Sequence, residues 1–114
     1  MAKIKIEYPK LPLKFKSKWI SALRSGEYEQ TKGTLCKISE GNTSYCCLGV
    51  AGRIAGNTVN SMRNYNVLDH AGVFRGIPNI LKGFHTPTIM KLTIINDDEG
   101  KSFKQIAIWI EKNM

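Results

Sequence analysis

Acid is scarce in this chain relative to base. Nine Asp and Glu stand against seventeen Lys and Arg, for a formal net charge of +8 over 114 residues. Long apolar runs are missing as well. No stretch approaches the roughly 18 consecutive apolar residues of a membrane span, so no transmembrane helix is expected. The opening MAKIKIEYPK alternates charge with isoleucine and has no apolar h-region, so no secretory signal is expected there. Cysteine is limited to three residues, an odd number, and Cys46 and Cys47 are adjacent. Neighbouring cysteines rarely bridge each other because the ring strains the peptide between them, so reduced thiols in a cytoplasmic protein are expected. Cys36, Cys46, Cys47, His70 and His85 show neither C-x-x-C nor H-x-x-x-H spacing, and neither a metal nor a cofactor is expected. The Gly49-Val50-Ala51-Gly52 stretch has neither G-x-G-x-x-G nor G-K-[ST] and is no phosphate loop. Asn96-Asp97-Asp98-Glu99-Gly100 lacks calcium-loop spacing and reads as a turn that places acids ahead of a helix.

What the chain does have is positive charge at its front. Residues 1–37 hold nine Lys and Arg against Glu7, Glu27 and Glu29, which is +6 of the total +8. A field of one sign attracts polyanions: nucleic acid, a nucleotide or an acidic protein. Tyr8, Phe15, Trp19 and Tyr28 are interleaved with these charges, and rings among lysines suit single strands or nucleotides. The candidate binding residues are Lys14, Lys16, Lys18, Arg24, Lys32 and Tyr28. The plainer alternative is a solvated basic face with Phe15 and Trp19 turned into the core.

At 114 residues, with 42% hydrophobic and 23% charged residues, the composition is that of one globular domain spanning 1–114. Lys3–Tyr8 alternates apolar with charged residues, so 1–16 reads as a basic strand or arm. Pro9 and Pro12 interrupt it. Ser17 is a candidate N-cap for a helix over 18–25, with Trp19, Ala22 and Leu23 on one face, Lys18 and Arg24 free on the other, and Gly26 at its stop. Gly33–Ile38 and Thr43–Cys47 read as a hairpin about Ser39-Glu40-Gly41-Asn42. That register sets Ile38 opposite Thr43, Cys36 opposite Tyr45 and Leu35 opposite Cys46. A second helix over 46–55 presents Cys47, Val50, Ala51 and Ile54 on one face, and its Gly49 and Gly52 imply close packing or a ligand's approach.

Residues 57–88, rich in Asn and Gly, read as a loop-rich, variable, exposed region, with Val67-Leu68 and Ile77–Leu81 as candidate short elements packed under a loop. Ile89–Ile95 fits a short strand or a helical turn equally well. Ser102 and Gln105 form the S-x-x-Q capping box of a last helix over 102–112. Phe103, Ile106, Ala107 and Ile110 are its core face, which Ile108 and Trp109 widen. The expected fold is a compact α+β domain: a small antiparallel sheet packed with about three helices.

Cys46 and Cys47 also carry the one enzyme reading. A thiol at a helix N-terminus has its thiolate favoured by the dipole and the free N–H groups. With His70 or His85 as base and Asn96 or Asp97 as orienter, it would make a Cys-His-Asn/Asp set. Packing as small hydrophobes where strand meets helix is the simpler role.

Three segments together resemble a family of small bacteriophage and prophage proteins. The first is Trp19-Ile20-Ser21-Ala22-Leu23-Arg24-Ser25-Gly26, with Tyr28 and Gln30. The second is Tyr45-Cys46-Cys47-Leu48-Gly49-Val50, preceded by Gly33 and Leu35. The third is Leu92, Asn96, Asp97, Gly100, Ser102, Phe103, Ile106, Ala107, Trp109, Ile110 and Glu111. Ile108 departs from the pattern, where such proteins often have Asp, and residues 57–88 lie outside the likeness. The resemblance implies a phage accessory protein in the cytoplasm of a bacterial host cell, where small non-structural phage proteins often counter host defence. Together with the basic front, this makes the expected function non-enzymatic binding of an anionic partner away from any membrane. A small cysteine-dependent enzyme using Cys46 or Cys47 is the alternative.

Overall fold

The computed structural model describes residues 8–68, 74–82 and 87–114. Residues 1–7 of the expected strand or arm over 1–16 fall outside them, as do His70 and His85, and its residues 13–16 are helical instead. Tyr8 and the residues up to Pro12 are irregular backbone.

Helix α1 (Leu13–Arg24) begins before the expected Lys18. Pro12 is the reason. Its φ of −53° and ψ of 134° form the N-cap, and its carbonyl accepts the Lys16 N–H at 2.9 Å. A proline needs no N–H there, so it starts this helix rather than breaking it. Ser17 consequently sits inside the helix on its exposed side. Trp19, Ile20 and Leu23 form the buried stripe, and Gly26 follows the end with a φ of +78°.

The hairpin forms in the expected register: β2 (Cys36–Ser39) and β3 (Asn42–Tyr45) are antiparallel with Ile38 opposite Thr43 and Cys36 opposite Tyr45. Cys46 N–H donates to the Leu35 carbonyl at 3.1 Å just beyond the ladder. Ser39 and Asn42 also pair, which leaves a two-residue turn whose central Glu40 and Gly41 both have positive φ, 50° and 82°. That is the backbone a type I′ hairpin demands. A further strand, β1 (Glu29–Gln30), pairs parallel with β3 as Glu29 with Ser44 and Gln30 with Tyr45, so the sheet is mixed, in the order β1-β3-β2.

Helix α2 (Cys47–Ile54) leaves the sheet directly and is buried nearly all round. Short α3 (Val59–Met62) and a 3-10 turn (Asn79–Leu81) follow. The loop-rich 57–88 region is not only surface: Met62, Leu68, Phe74, Ile77 and Leu81 are all buried in the single core. Asn57 ties it down, its side-chain amide donating to the Gly52 and Arg75 carbonyls and accepting the Arg75 N–H.

The Ile89–Ile95 ambiguity resolves as helix. Helix α4 (Pro87–Thr93) widens into a π turn (Ile94–Asp98). Helix α5 (Phe103–Asn113) opens on the expected capping box, with Ser102 Oγ accepting the Gln105 N–H at 3.2 Å and Gln105 Oε1 accepting the Ser102 N–H at 2.9 Å. Its core face is Phe103, Ile106, Ala107 and Ile110 as expected. Ile108 does not widen that face: it is 48% exposed, and Trp109 is only half-buried. The result is a single α+β domain in which α1 packs on both α2 and α5.

Candidate functional site

The three resemblance segments converge at the N-terminus of α2. Cys46 is the N-cap, its sulfur accepting the Gly49 N–H at 3.4 Å. The Cys47 N–H, another first-turn donor with no helical partner, goes to Asn96 Oδ1 at 3.2 Å. The same oxygen accepts Gln30 Nε2 at 3.0 Å, while Asn96 Nδ2 donates to the Thr31 carbonyl at 2.9 Å and to Asp97 Oδ1 at 2.7 Å. Gln30 Nε2 also reaches the Lys101 carbonyl at 2.7 Å. Buried Asn96 thus caps α2 from the π turn and binds β1 to both. This role is not visible in the sequence, where Asn96 reads as the first residue of a polar turn or as the orienter of a Cys-His-Asn set.

Asn96→Leu keeps most of the volume and removes all four bonds, stranding a buried N–H and a carbonyl. We expect a loss of about 2–4 kcal/mol, measured by urea unfolding. A loss of a few tenths would show that the amide is dispensable.

The structure brings Cys46 and Cys47 together with Asn96 and Asp97; His70 and His85 lie outside the described residues. The cavity they share with Thr34 and Asn66 is about 10 Å³, room for no more than one water molecule and none for a substrate. Burial pushes the Cys46 thiol up from 9.0 to about 12, against the N–H bonds of the helix start, with the Asp97 carboxylate adding to the rise. Burial also drives Cys47 well above 9.0, with Cys46 and Asp97 as further causes. The dipole argument for a reactive thiolate is therefore outweighed by desolvation. Cys47 Sγ instead donates to the Leu92 carbonyl at 3.7 Å, and Cys36 Sγ to the Val59 carbonyl at 3.5 Å.

Two consequences are measurable. Iodoacetamide should label native Cys46 and Cys47 far more slowly at neutral pH than in urea. Stability should also fall in alkali. Below 9.0 both states keep the thiol protonated and the contribution of each thiol is intact. It is lost as pH rises from 9.0 through the folded value of about 12 for Cys46. The slope is at most about 1.4 kcal/mol per pH unit per thiol. Fast native labelling at pH 7 would mean a thiolate is present.

The basic candidates divide into held and free. Arg24 was expected to be free, but its Nη2 pairs with Glu111 Oε2 of α5 at 2.5 Å. The partner is distant in sequence, so no local spacing announces it. Lys16 Nζ donates to the Glu111 carbonyl at 3.3 Å. Tyr28 is half-buried, edge-on to Tyr45 with ring centroids 5.2 Å apart. Lys14 and Lys18 are exposed, one helical turn apart on α1, and pair with no acid among the described residues. Ser17 and Ser21 are exposed between and beside them. Lys32 is exposed beyond β1, with its ammonium near Gly100. Phe15 and Trp19 turn inward, their rings 6.1 Å apart, so no α1 aromatic is offered for stacking.

Among the described residues, no helix is long and apolar enough to cross a membrane, and no group of three or more His, Cys, Asp or Glu is placed to hold a metal ion. Neither the curated proteins nor the solved structures contain a match to this chain. A family model described as a domain of unknown function, DUF8296, matches residues 11–71, the stretch from the approach to α1 through the hairpin, α2 and α3. That match spans more than half of the sequence, and the chain belongs to the DUF8296 family.

Proposed function

We propose that this protein acts by non-enzymatic binding of an anionic partner, docked on the exposed face of α1. In this reading it is a phage accessory protein in the cytoplasm of a bacterial host, and its binding antagonises a host defence system. Nucleic acid, a nucleotide signal and an acidic host protein share the required charge. The observation that carries the reading is the Lys14–Ser17–Lys18–Ser21 face: two exposed ammonium groups without acidic partners among the described residues and two hydroxyls, fixed on a helix anchored by Trp19 and Leu23. Ammonium and hydroxyl donors are the groups that meet phosphate oxygens, which favours a phosphodiester backbone. The buried, protonated Cys46 and Cys47 beside a one-water cavity support binding over cysteine catalysis.

The test is fluorescence anisotropy with a labelled single-stranded oligonucleotide at low salt. Lys14→Gln/Lys18→Gln should weaken binding about tenfold or more with an unchanged circular dichroism spectrum. Lys16→Gln should matter less, because that side chain is already engaged with the Glu111 carbonyl. Equal affinity of the double variant and the parent would show a merely solvated face.

A further inference from the structure

We propose a second binding site, distinct from the α1 face: a groove between α5 and the π turn that takes a nucleoside monophosphate, its planar base against Trp109 and its phosphate on Lys101 and Lys112. The groove has a volume of about 300 Å³, at the lower end of small-molecule pockets. Ile108 and Trp109 make its accessible apolar wall over the buried Ile95 and Ile106, and Lys91, Lys101 and Lys112 rim it. Ile108 and Trp109 are the two apolar α5 residues that are not fully buried, and both line this groove. One acid is present, Glu99, and it lies 4.0 Å from Lys91. Lys101 and Lys112 have no acidic partner among the described residues.

The indole is held for the task. Tyr8 packs edge-to-face on Trp109, with centroids 4.9 Å apart and planes at 74°, and the Leu11 N–H fastens that segment to the Met114 carbonyl at 3.0 Å. Among the described residues, the indole N–H of Trp109 donates to no acceptor. Each half of the groove selects a different part of the ligand. A simple anion has no use for the isoleucines and the indole, and an apolar ligand has none for two unpaired ammonium groups. A flat ring joined to an anion uses both, through stacking and charge. The site shares no lining residue with the α1 face, so it stands or falls separately from that reading.

Intrinsic fluorescence tests this directly. Trp19 is fully buried, so quenching by an added ligand reports Trp109. Adenosine 5′-monophosphate should quench saturably, and adenosine or inorganic phosphate alone should bind at least about tenfold more weakly. Ile108→Glu, at an exposed position, and Lys101→Gln/Lys112→Gln should each weaken binding by at least about tenfold without altering the circular dichroism spectrum. Lys14→Gln/Lys18→Gln should leave it unchanged. Quenching by the free nucleotide upholds the site. Quenching only by a 5′-phosphorylated oligonucleotide also upholds it and assigns the end of a strand as the source. No saturable quenching by either up to about 10 mM, or quenching indifferent to both groove variants, overturns the proposal.

Discussion

Trp19→Ala should remove about 3–5 kcal/mol of stability, the usual cost of deleting a large buried aromatic. For a domain with roughly 5–15 kcal/mol in total, that brings the chain near the edge of folding at ordinary temperature. Trp19 is wholly buried, and its Nε1–H donates to the Cys47 carbonyl at 2.9 Å. It therefore joins α1 to the first turn of α2 by packing and by a hydrogen bond at once. Trp19→Phe separates the two, retaining most of the packing and losing the bond, for about 1–2 kcal/mol. Trp109→Ala should cost clearly less than Trp19→Ala, because Trp109 is half-buried against Tyr8 and the groove. Urea midpoints rank the three. Trp109→Ala as the most damaging would invert this assignment of the core.

Gly49→Ala is the second large effect. Gly49 lies in the first turn of α2 with its α-carbon against the backbone of Leu35, and an added methyl would overlap the Leu35 carbonyl oxygen and its carbon. That carbonyl also accepts the Cys46 N–H, so it cannot retreat without breaking the link from hairpin to helix. Inserting atoms into a packed core typically costs about 1–3 kcal/mol, and here the obstacle is main chain, so we expect at least the upper end. Gly52→Ala is the control. The methyl there meets the Met62 side chain, which can turn aside, and alanine returns about 1 kcal/mol of helix propensity. Gly52→Ala should therefore melt well above Gly49→Ala. Equal thermal midpoints would mean that α2 and Leu35 are not in contact.

The parts of this fold that are legible in the sequence are those set by local chemistry. The hairpin register follows from a glycine turn between short strands, and the α5 start from the Ser102–Gln105 spacing. The parts that are not legible depend on partners far along the chain. Strand β1 is two exposed residues with no alternation to mark it. Asn96 gains its meaning only when Gln30, Thr31 and Cys47 are brought to it. Arg24 reads as a free charge until Glu111 arrives from α5. Trp109 lies beside the periodic core face of α5, at its margin, and that margin becomes the wall of a groove instead of core. The helix-start argument for Cys46 and Cys47 is correct about position. What it omits is burial, which reverses the sign of the effect on the thiols.

The measurement that bears most directly on anion docking by α1 is the salt dependence of oligonucleotide binding. Each ammonium group that neutralises a phosphate releases counterions, so log Kd plotted against log salt has a slope of about 0.7 per contact on a single strand. If Lys14 and Lys18 both meet phosphates, Lys14→Gln/Lys18→Gln should lower that slope by about 1.4 relative to the parent, with Lys32→Gln as a single-charge comparison. Parallel lines for parent and double variant would contradict the account, because the two lysines would then touch no phosphate at any salt concentration.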